Sequence, residues 1–483
     1  MIFVIGTYVI AAVLLYFVLA SVVATVARRY LARGSPEDFY IASGRVGGFV
    51  SAMTYAATTY SAFMMIGLVG YAYATGVGAL GFELIYLVST LFLLSSIGLT
   101  LWRLSRELGF TTPSEMFVKF FGWDRLGIVV TVIAAVSLIP YSSIQLIGVG
   151  LLLHAITGGV VPYWFGLVVA LVFPLFWGVV AGFRSIAWTD AVQGMVMLGG
   201  SLALLSWVLL WGFGSWSVFV SKVNVLGDLL HVPNRFWSVE VFVAFTLPWA
   251  FFAISNPQVV QRLYVPRDRA SFTRMVLYFA LFGLIYTVIV TLLGLMVRVL
   301  AEFGVVEYVD PRRRDLVTPT LLRYVPVPIA VVVSVSIVAA ATSTLNSILL
   351  TLSSMVARDL KYMTGGRLRP EVEVRVCQLF IVLFSLITLV FAALRPGYIV
   401  DLAVLSSTLL LPLAVMTLLA LVDTRSRYLG KLATIPLIAS VSTTLVLAYV
   451  RKVFAHYIPA LTLPTTALLT SLVLYLVVRA LAR

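Results

Sequence analysis

Ser51-Ala52-Met53-Thr54-Tyr55-Ala56-Ala57-Thr58-Thr59-Tyr60-Ser61-Ala62-Phe63, running on to Gly67-Leu68-Val69-Gly70, is a membrane-length apolar run with a polar seam. Ser51, Thr54, Thr58 and Ser61 step by 3, 4 and 3, so their hydroxyls share one helical face. Small residues and β-branched threonines at 56–59 predict an interruption there. A second seam lies in Val338-Ala339-Ala340-Ala341-Thr342-Ser343-Thr344-Leu345-Asn346-Ser347, where Ser343, Ser347, Thr351 and Ser354 step by 4, 4 and 3. Neutral hydroxyls and freed backbone carbonyls are oxygen ligands suited to a hard cation. Such stripes also pack helices closely in membranes, so the seams alone leave both readings open.

A third segment, Thr246-Leu247-Pro248-Trp249 followed by Ser255-Asn256-Pro257-Gln258, places two prolines in one span. Each removes a backbone donor and disturbs the helix. Broken helices persist at membrane depth where they line a cavity or are buried in protein. Interrupted spans in corresponding positions of two halves point to a transporter's site.

The rest of the chain fits that picture. It is 61% hydrophobic and 11% charged, against about 25% charged in soluble domains. Apolar runs able to cross a hydrocarbon core of about 30 Å recur throughout. They fall near 3–27, 47–73, 77–102, 126–155, 160–181, 187–213, 237–261, 275–297, 325–357, 376–394, 398–422, 432–450 and 459–478. The expected fold is an all-α polytopic membrane protein of about thirteen spans. Its interrupted second and seventh spans are five apart, as in a 5+5 inverted repeat of spans 2–6 and 7–11. We expect one transporter domain over 1–483. It comprises an extra N-terminal span and inner loop at 1–46, repeats at 47–213 and 237–422, and C-terminal spans at 432–483. The first run reads as a retained span, because Arg28-Arg29 follow it and no small-residue cleavage site does. The largest polar loops, 214–236 and 299–324, are too short for a soluble catalytic domain, and His154 is the only histidine within a span. Enzyme activity is not expected. A lone cysteine, Cys377, excludes an intramolecular disulfide and a cysteine-based zinc site.

Most of the 33 lysines and arginines fall in alternate connections. The positive-inside rule then puts the N-terminus outside and the C-terminus in the cytoplasm, in a multi-pass plasma-membrane protein. The net charge of +14 faces anionic lipid, and nucleic-acid binding is not expected. Every lysine and arginine reads as a loop or span-end residue, leaving no intramembrane arginine. Four acidic residues lie in or at the edge of spans: Glu83, Asp190, Glu240 and Asp401. An intramembrane carboxylate is a functional hypothesis by default. Glu240 and Asp401 lie near outward ends, where solvation accounts for them. Asp190 follows Arg184 and reads equally as a helix cap or its ion-pair partner. Glu83 is the deepest, a pathway residue or a buried structural one.

In order and spacing the chain resembles the sodium:solute symporters, carriers of proline, pantothenate, monocarboxylates, sugars and iodide. The resemblance rests on Asp38-Phe39-Tyr40-Ile41-Ala42-Ser43-Gly44-Arg45, the Ala-Met-Thr to Gly-Leu-Val-Gly stretch, and Thr112-Pro113-Ser114-Glu115. It continues with Gly182-Phe183-Arg184 leading to Thr189-Asp190-Ala191-Val192-Gln193-Gly194, and Asn256-Pro257-Gln258 leading to Gln261-Arg262. Ala340-Ala341-Thr342-Ser343-Thr344 with Ser353-Ser354 and Arg358-Asp359-Leu360 is the most specific mark. The implied fold is the inverted repeat also found in neurotransmitter-type transporters. The resemblance implies a sodium site made by the hydroxyls of Ser343 and Thr344 and the carbonyls of Ala57, Tyr60 and Ala340. It also implies a role for Asp190 in sodium exit to the inside.

Sodium is thus the expected coupling ion, with no organic cofactor and no obligate protein partner evident. The expected solute is a small organic acid, vitamin or amino acid, moved by alternating access. Thr58, Thr59, Phe63, Glu83, Tyr141, Gln145, Trp249 and Asn256 are candidates for its path. Proton-coupled symport, a channel and a sensor are the alternatives.

Overall fold

The computed structural model describes residues 2–31, 36–180, 182–453 and 459–482. Among these the chain is helical almost throughout, as lipid demands: backbone groups facing hydrocarbon must be satisfied within their own segment. In chain order the principal helices begin with α1 (Ile2–Leu31), α2 (Gly48–Thr59), α3 (Val69–Thr75) and α4 (Gly78–Leu108). They continue with α5 (Pro113–Phe121), α6 (Leu126–Ile156), α7 (Tyr163–Val180) and α8 (Gly182–Gly212). The second half holds α9 (Val239–Ala250), α10 (Arg269–Glu302), α11 (Val327–Met363) and α12 (Pro370–Leu394). It closes with α13 (Ile399–Val422), α14 (Thr434–Val453) and α15 (Thr462–Leu481).

Among the described residues, ten helices are long and apolar enough to cross a membrane, or eleven with the bent pair α2 and α3 counted as one span. This is fewer than the expected thirteen. The difference lies in two shorter apolar helices, Tyr163–Gly178 and Val239–Ala250. The second is short because its span breaks twice, at Phe251 and again at Asn256. Asn256 is extended, as a residue before proline prefers, and Pro257 opens the next helical turn. Pro248 sits inside α9 without ending it.

The break in the second span also lies beyond its predicted place. Helix α2 runs through the threonines to Thr59, whose hydroxyl bonds back to the Tyr55 carbonyl. The chain turns at Tyr60, which is extended, and resumes as a π-helical turn, Phe63–Leu68, at 50° to α2. Freed groups find partners elsewhere: Gln145 accepts from the Ala62 amide, and the Thr318 hydroxyl donates to the Met65 carbonyl.

The two polar loops carry structure of their own. Residues 214–236 hold a helix, Trp216–Lys222, and a 3₁₀ segment, Val223–Leu230. Residues 299–324 hold a 3₁₀ turn, Pro311–Leu316, and a helix, Val317–Leu321. Connections predicted to share a side do meet. Arg358 binds Glu115 at 2.6 Å and reaches Glu37 and Glu373 at one end of the bundle. At the other, Asn234 donates to the Thr75 carbonyl and Arg314 pairs with Asp401. Glu240 is exposed and accepts from the Leu461 amide, in keeping with a residue at a span end.

Backbone approach is very close where Gly70 faces the Arg314 carbonyl: a Cβ there would lie 2.1 Å from that oxygen. Gly70→Ala therefore forces a shift and should destabilise the fold by about 1–3 kcal/mol. Gly47→Ala, whose Cβ would meet nothing within 4 Å, should stay within about 0.5 kcal/mol. Thermal unfolding of both purified variants checks this. Equal melting temperatures would show that the Gly70 contact is slack.

Candidate functional site

Residues 336–355 of α11 are buried without interruption, and α2 ends across this stretch. Neighbours on a helix diverge by about 100°, so Ser343 and Thr344 reach one point only if it lies between them at the helix edge. The Ala57 carbonyl is that point. Ser343 Oγ lies 2.8 Å and Thr344 Oγ1 3.1 Å from it. Ser343 also reaches the Ala340 carbonyl at 3.0 Å, and Thr344 the Thr58 carbonyl at 3.2 Å. Five oxygens thus converge, all fully buried and with no carboxylate among them. Of the five residues expected at a sodium site, Ala57, Ala340, Ser343 and Thr344 come together. Tyr60 stands at the break itself, its ring packed on α10 against Phe279 and Tyr286. Thr58, expected on the solute path, instead faces α11: its hydroxyl lies 2.7 Å from Ser347 Oγ.

The seam of α11 continues below this cluster as a ladder. Ser347 Oγ accepts from Arg262 Nη2 at 2.6 Å, and Thr351 Oγ1 from Nη1 at 3.3 Å. Thr351 donates to Gln261 Oε1, and Gln261 Nε2 donates to Ser354. Arg262 is fully buried, with its guanidinium 4.8 Å from the Phe183 ring. This corrects the expectation that no arginine lies in the interior. A short 3₁₀ turn after the broken span, Gln261–Tyr264, carries Arg262 back into the protein rather than out into a loop.

Asp190 is also fully buried, inside α8 and well past its first turn, so it is not a cap. The Thr54 hydroxyl donates to its Oδ2 at 2.6 Å, and Oδ1 has no partner among the described residues. The Arg184 side chain lies outside the described residues. The charge that acts on Asp190 is Arg262.

The expected solute-path residues gather around the two breaks. Glu83 Oε2 accepts from Trp249 Nε1 at 3.2 Å, and the Trp249 ring lies 5.3 Å from Phe63. Tyr141 donates to the Thr59 carbonyl at 3.3 Å. Gln145 bridges the Ala62 amide and the Tyr141 carbonyl, so it holds the break open. Asn256 donates to Ser255 Oγ, and its Oδ1 has no partner among the described residues. Sequence reasoning missed Tyr86 and Phe252, which close this group: Tyr86 stacks edge-on with Tyr60, Trp249 and Phe252.

Known proteins resemble this chain in sequence and in fold. A family model described as the sodium:solute symporter family matches residues 39–440. A sodium/pantothenate symporter of Haemophilus influenzae is 26% identical over 374 residues, covering 74% of this chain and 73% of that protein. A sodium/glucose cotransporter of Vibrio parahaemolyticus is 23% identical, covering 68% and 63%. Among solved structures, a Na+-coupled sialic acid symporter in a substrate-bound outward-open state superposes with a TM-score of 0.79 at 17% identity, covering 97% and 96%. MhsT in complex with L-phenylalanine gives 0.57 at 15% identity, covering 89% and 98%. With residues 39–440 matched by that family model and the fold shared with these transporters, the chain belongs to the sodium:solute symporter family and is a membrane transporter, not an enzyme.

Proposed function

We propose that this symporter binds sodium between the end of α2 and the middle of α11 and couples its entry to uptake of a small organic acid, vitamin or amino acid. The observation that carries the reading is the shared approach of Ser343 and Thr344 to the Ala57 carbonyl. The Ala340, Thr58 and Tyr60 carbonyls complete the ligand set. A site of neutral oxygens holds a cation without burying a full counter-charge, so the ion leaves when the cage opens. Asp190, with one unpartnered oxygen on the Arg262 side of the cage, receives the departing ion. The N-terminus lies outside, and thirteen membrane segments include repeats at 47–213 and 237–422 in opposite senses. The solute sits between the two breaks, against Glu83, Trp249, Phe63, Tyr141 and Asn256. Glu83 supports one competing reading, in which it carries a proton as the coupling ion, since this buried carboxylate accepts from an indole donor and has no ion-pair partner among the described residues.

One sodium ion moving down about 100 mV gains roughly 2.3 kcal/mol, and a tenfold gradient adds about 1.4 kcal/mol. Proteoliposome uptake of a solute panel should therefore show accumulation of several hundred-fold that needs sodium. Accumulation that survives without sodium and collapses with a proton uncoupler would replace sodium by protons.

Removing a hydroxyl that contacts a charge costs about 1.5–3 kcal/mol. Ser343→Ala and Thr344→Val should each raise the sodium concentration for half-maximal uptake about ten- to a hundred-fold, with rescue at high sodium. Ser354→Ala, three residues beyond Thr351 on the seam and bonded to Gln261, should not. Unchanged sodium dependence in both cage variants would reduce the cluster to helix packing.

Asp190→Asn should slow turnover per folded molecule while leaving apparent solute affinity on the outer side nearly intact. A loss of thermal stability with turnover preserved would instead make Asp190 a structural counter-charge to Arg262.

A further inference from the structure

A second polar centre lies at the bundle end opposite the Arg358 cluster, away from the ion cage. There α9, α13, α14 and α15 line a half-open cavity of about 410 Å³. Its walls are apolar, from Val241, Ala244, Phe245, Leu405, Leu463 and Pro464. Its polar end is made by Arg314, Asp401 and Arg451. Arg314 is held firmly. Its guanidinium lies between the Tyr71 and Tyr398 rings at 4.9 and 4.4 Å, and Nη2 donates to both Asp401 oxygens at 2.9 and 2.8 Å. Its backbone carbonyl is pinned against Gly70. The side chain is only 9% exposed, yet its Nε has no partner among the described residues.

Arg451 acts on Asp401 electrostatically but forms no ion pair with it within 4 Å. The lining therefore holds two guanidinium groups and one carboxylate. Asp315 acts on Arg314 electrostatically from outside the lining, and Glu240 accepts from the Leu461 amide and does not line the cavity either. Arg451, without an ion-pair partner in the lining, is the group free to meet an anion. Guanidinium groups match carboxylate and phosphate oxygens, and cavities of about 300–1,000 Å³ suit small ligands.

We propose that this cavity is a second binding site, separate from the ion cage, for an amphipathic organic anion whose acidic head meets Arg451 and Arg314 and whose apolar body fills the cavity. The same chemistry is offered by a soluble carboxylate and by an anionic lipid headgroup with its chain.

The test uses the purified full chain in phosphatidylcholine nanodiscs and radiolabelled octanoate. Octanoate should bind saturably, and octan-1-ol should compete at least about tenfold more weakly, since it lacks the charge-assisted bond. Arg451→Gln should weaken octanoate about tenfold or more, and Ala244→Trp, which fills the cavity, should abolish the same binding. Melting temperatures of both variants confirm that they fold; Arg451 is chosen because it is only partly buried and outside the Arg314–Asp401 pair. If nanodiscs containing phosphatidylglycerol displace octanoate, the natural anion is a lipid headgroup; if they do not, it is soluble. Equal binding of octanol, or undiminished octanoate binding by folded Arg451→Gln and Ala244→Trp variants, would overturn the proposal.

Discussion

A helix that stops inside a membrane must dispose of the carbonyls that no longer receive an intrahelical bond. Here the second span stops at Tyr60, and the Ala57 and Thr58 carbonyls are met by hydroxyls of α11. That requirement fixes much of the remainder. It sets α2 against the buried stretch of α11, and it needs small residues at 339–341 to admit the approach. It also places Gln145 of α6 where it can satisfy the Ala62 amide beyond the break.

The same helix then carries its polar face downward without an unpaired rung. Ser347 serves Thr58 and Arg262, Thr351 serves Arg262 and Gln261, and Ser354 serves Gln261. Burying a guanidinium is tolerated only when its hydrogen bonds and charge are answered. The ladder answers both Nη groups, while Nε has no partner among the described residues, and Asp190 answers the charge. A cluster of neutral oxygens thus lies next along α11 to a buried guanidinium and its counter-charge.

Much of this was legible in the sequence because periodicity carries it. The two hydroxyl seams and the paired prolines marked the interrupted spans, and adjacent Ser343 and Thr344 marked the face. What was not legible depends on contacts far apart in the chain. Arg262 follows an apolar run and looks like an inner-loop residue. Its partners Ser347 and Thr351 lie 85 and 89 residues away, and only the turn at Gln261–Tyr264 sends it back inside. The break fell at Tyr60 rather than at 56–59 because the backbone ladder runs on through the threonines: the Tyr60 amide still donates to the Ala56 carbonyl. Tyr86 and Phe252 were missed for a plainer reason: aromatic residues in an apolar span look like core until their neighbours are known.

Hydrogen exchange by mass spectrometry, with sodium exchanged for choline and no solute present, tests the cage most directly. Amides beyond the break lack regular helical bonds, so their protection reports whether the two spans are pinned together. The account predicts that sodium slows exchange in the segments covering 57–66 and 338–347 and leaves α14 and α15 unchanged. Sodium-dependent protection confined to other segments, or none at all, would contradict it.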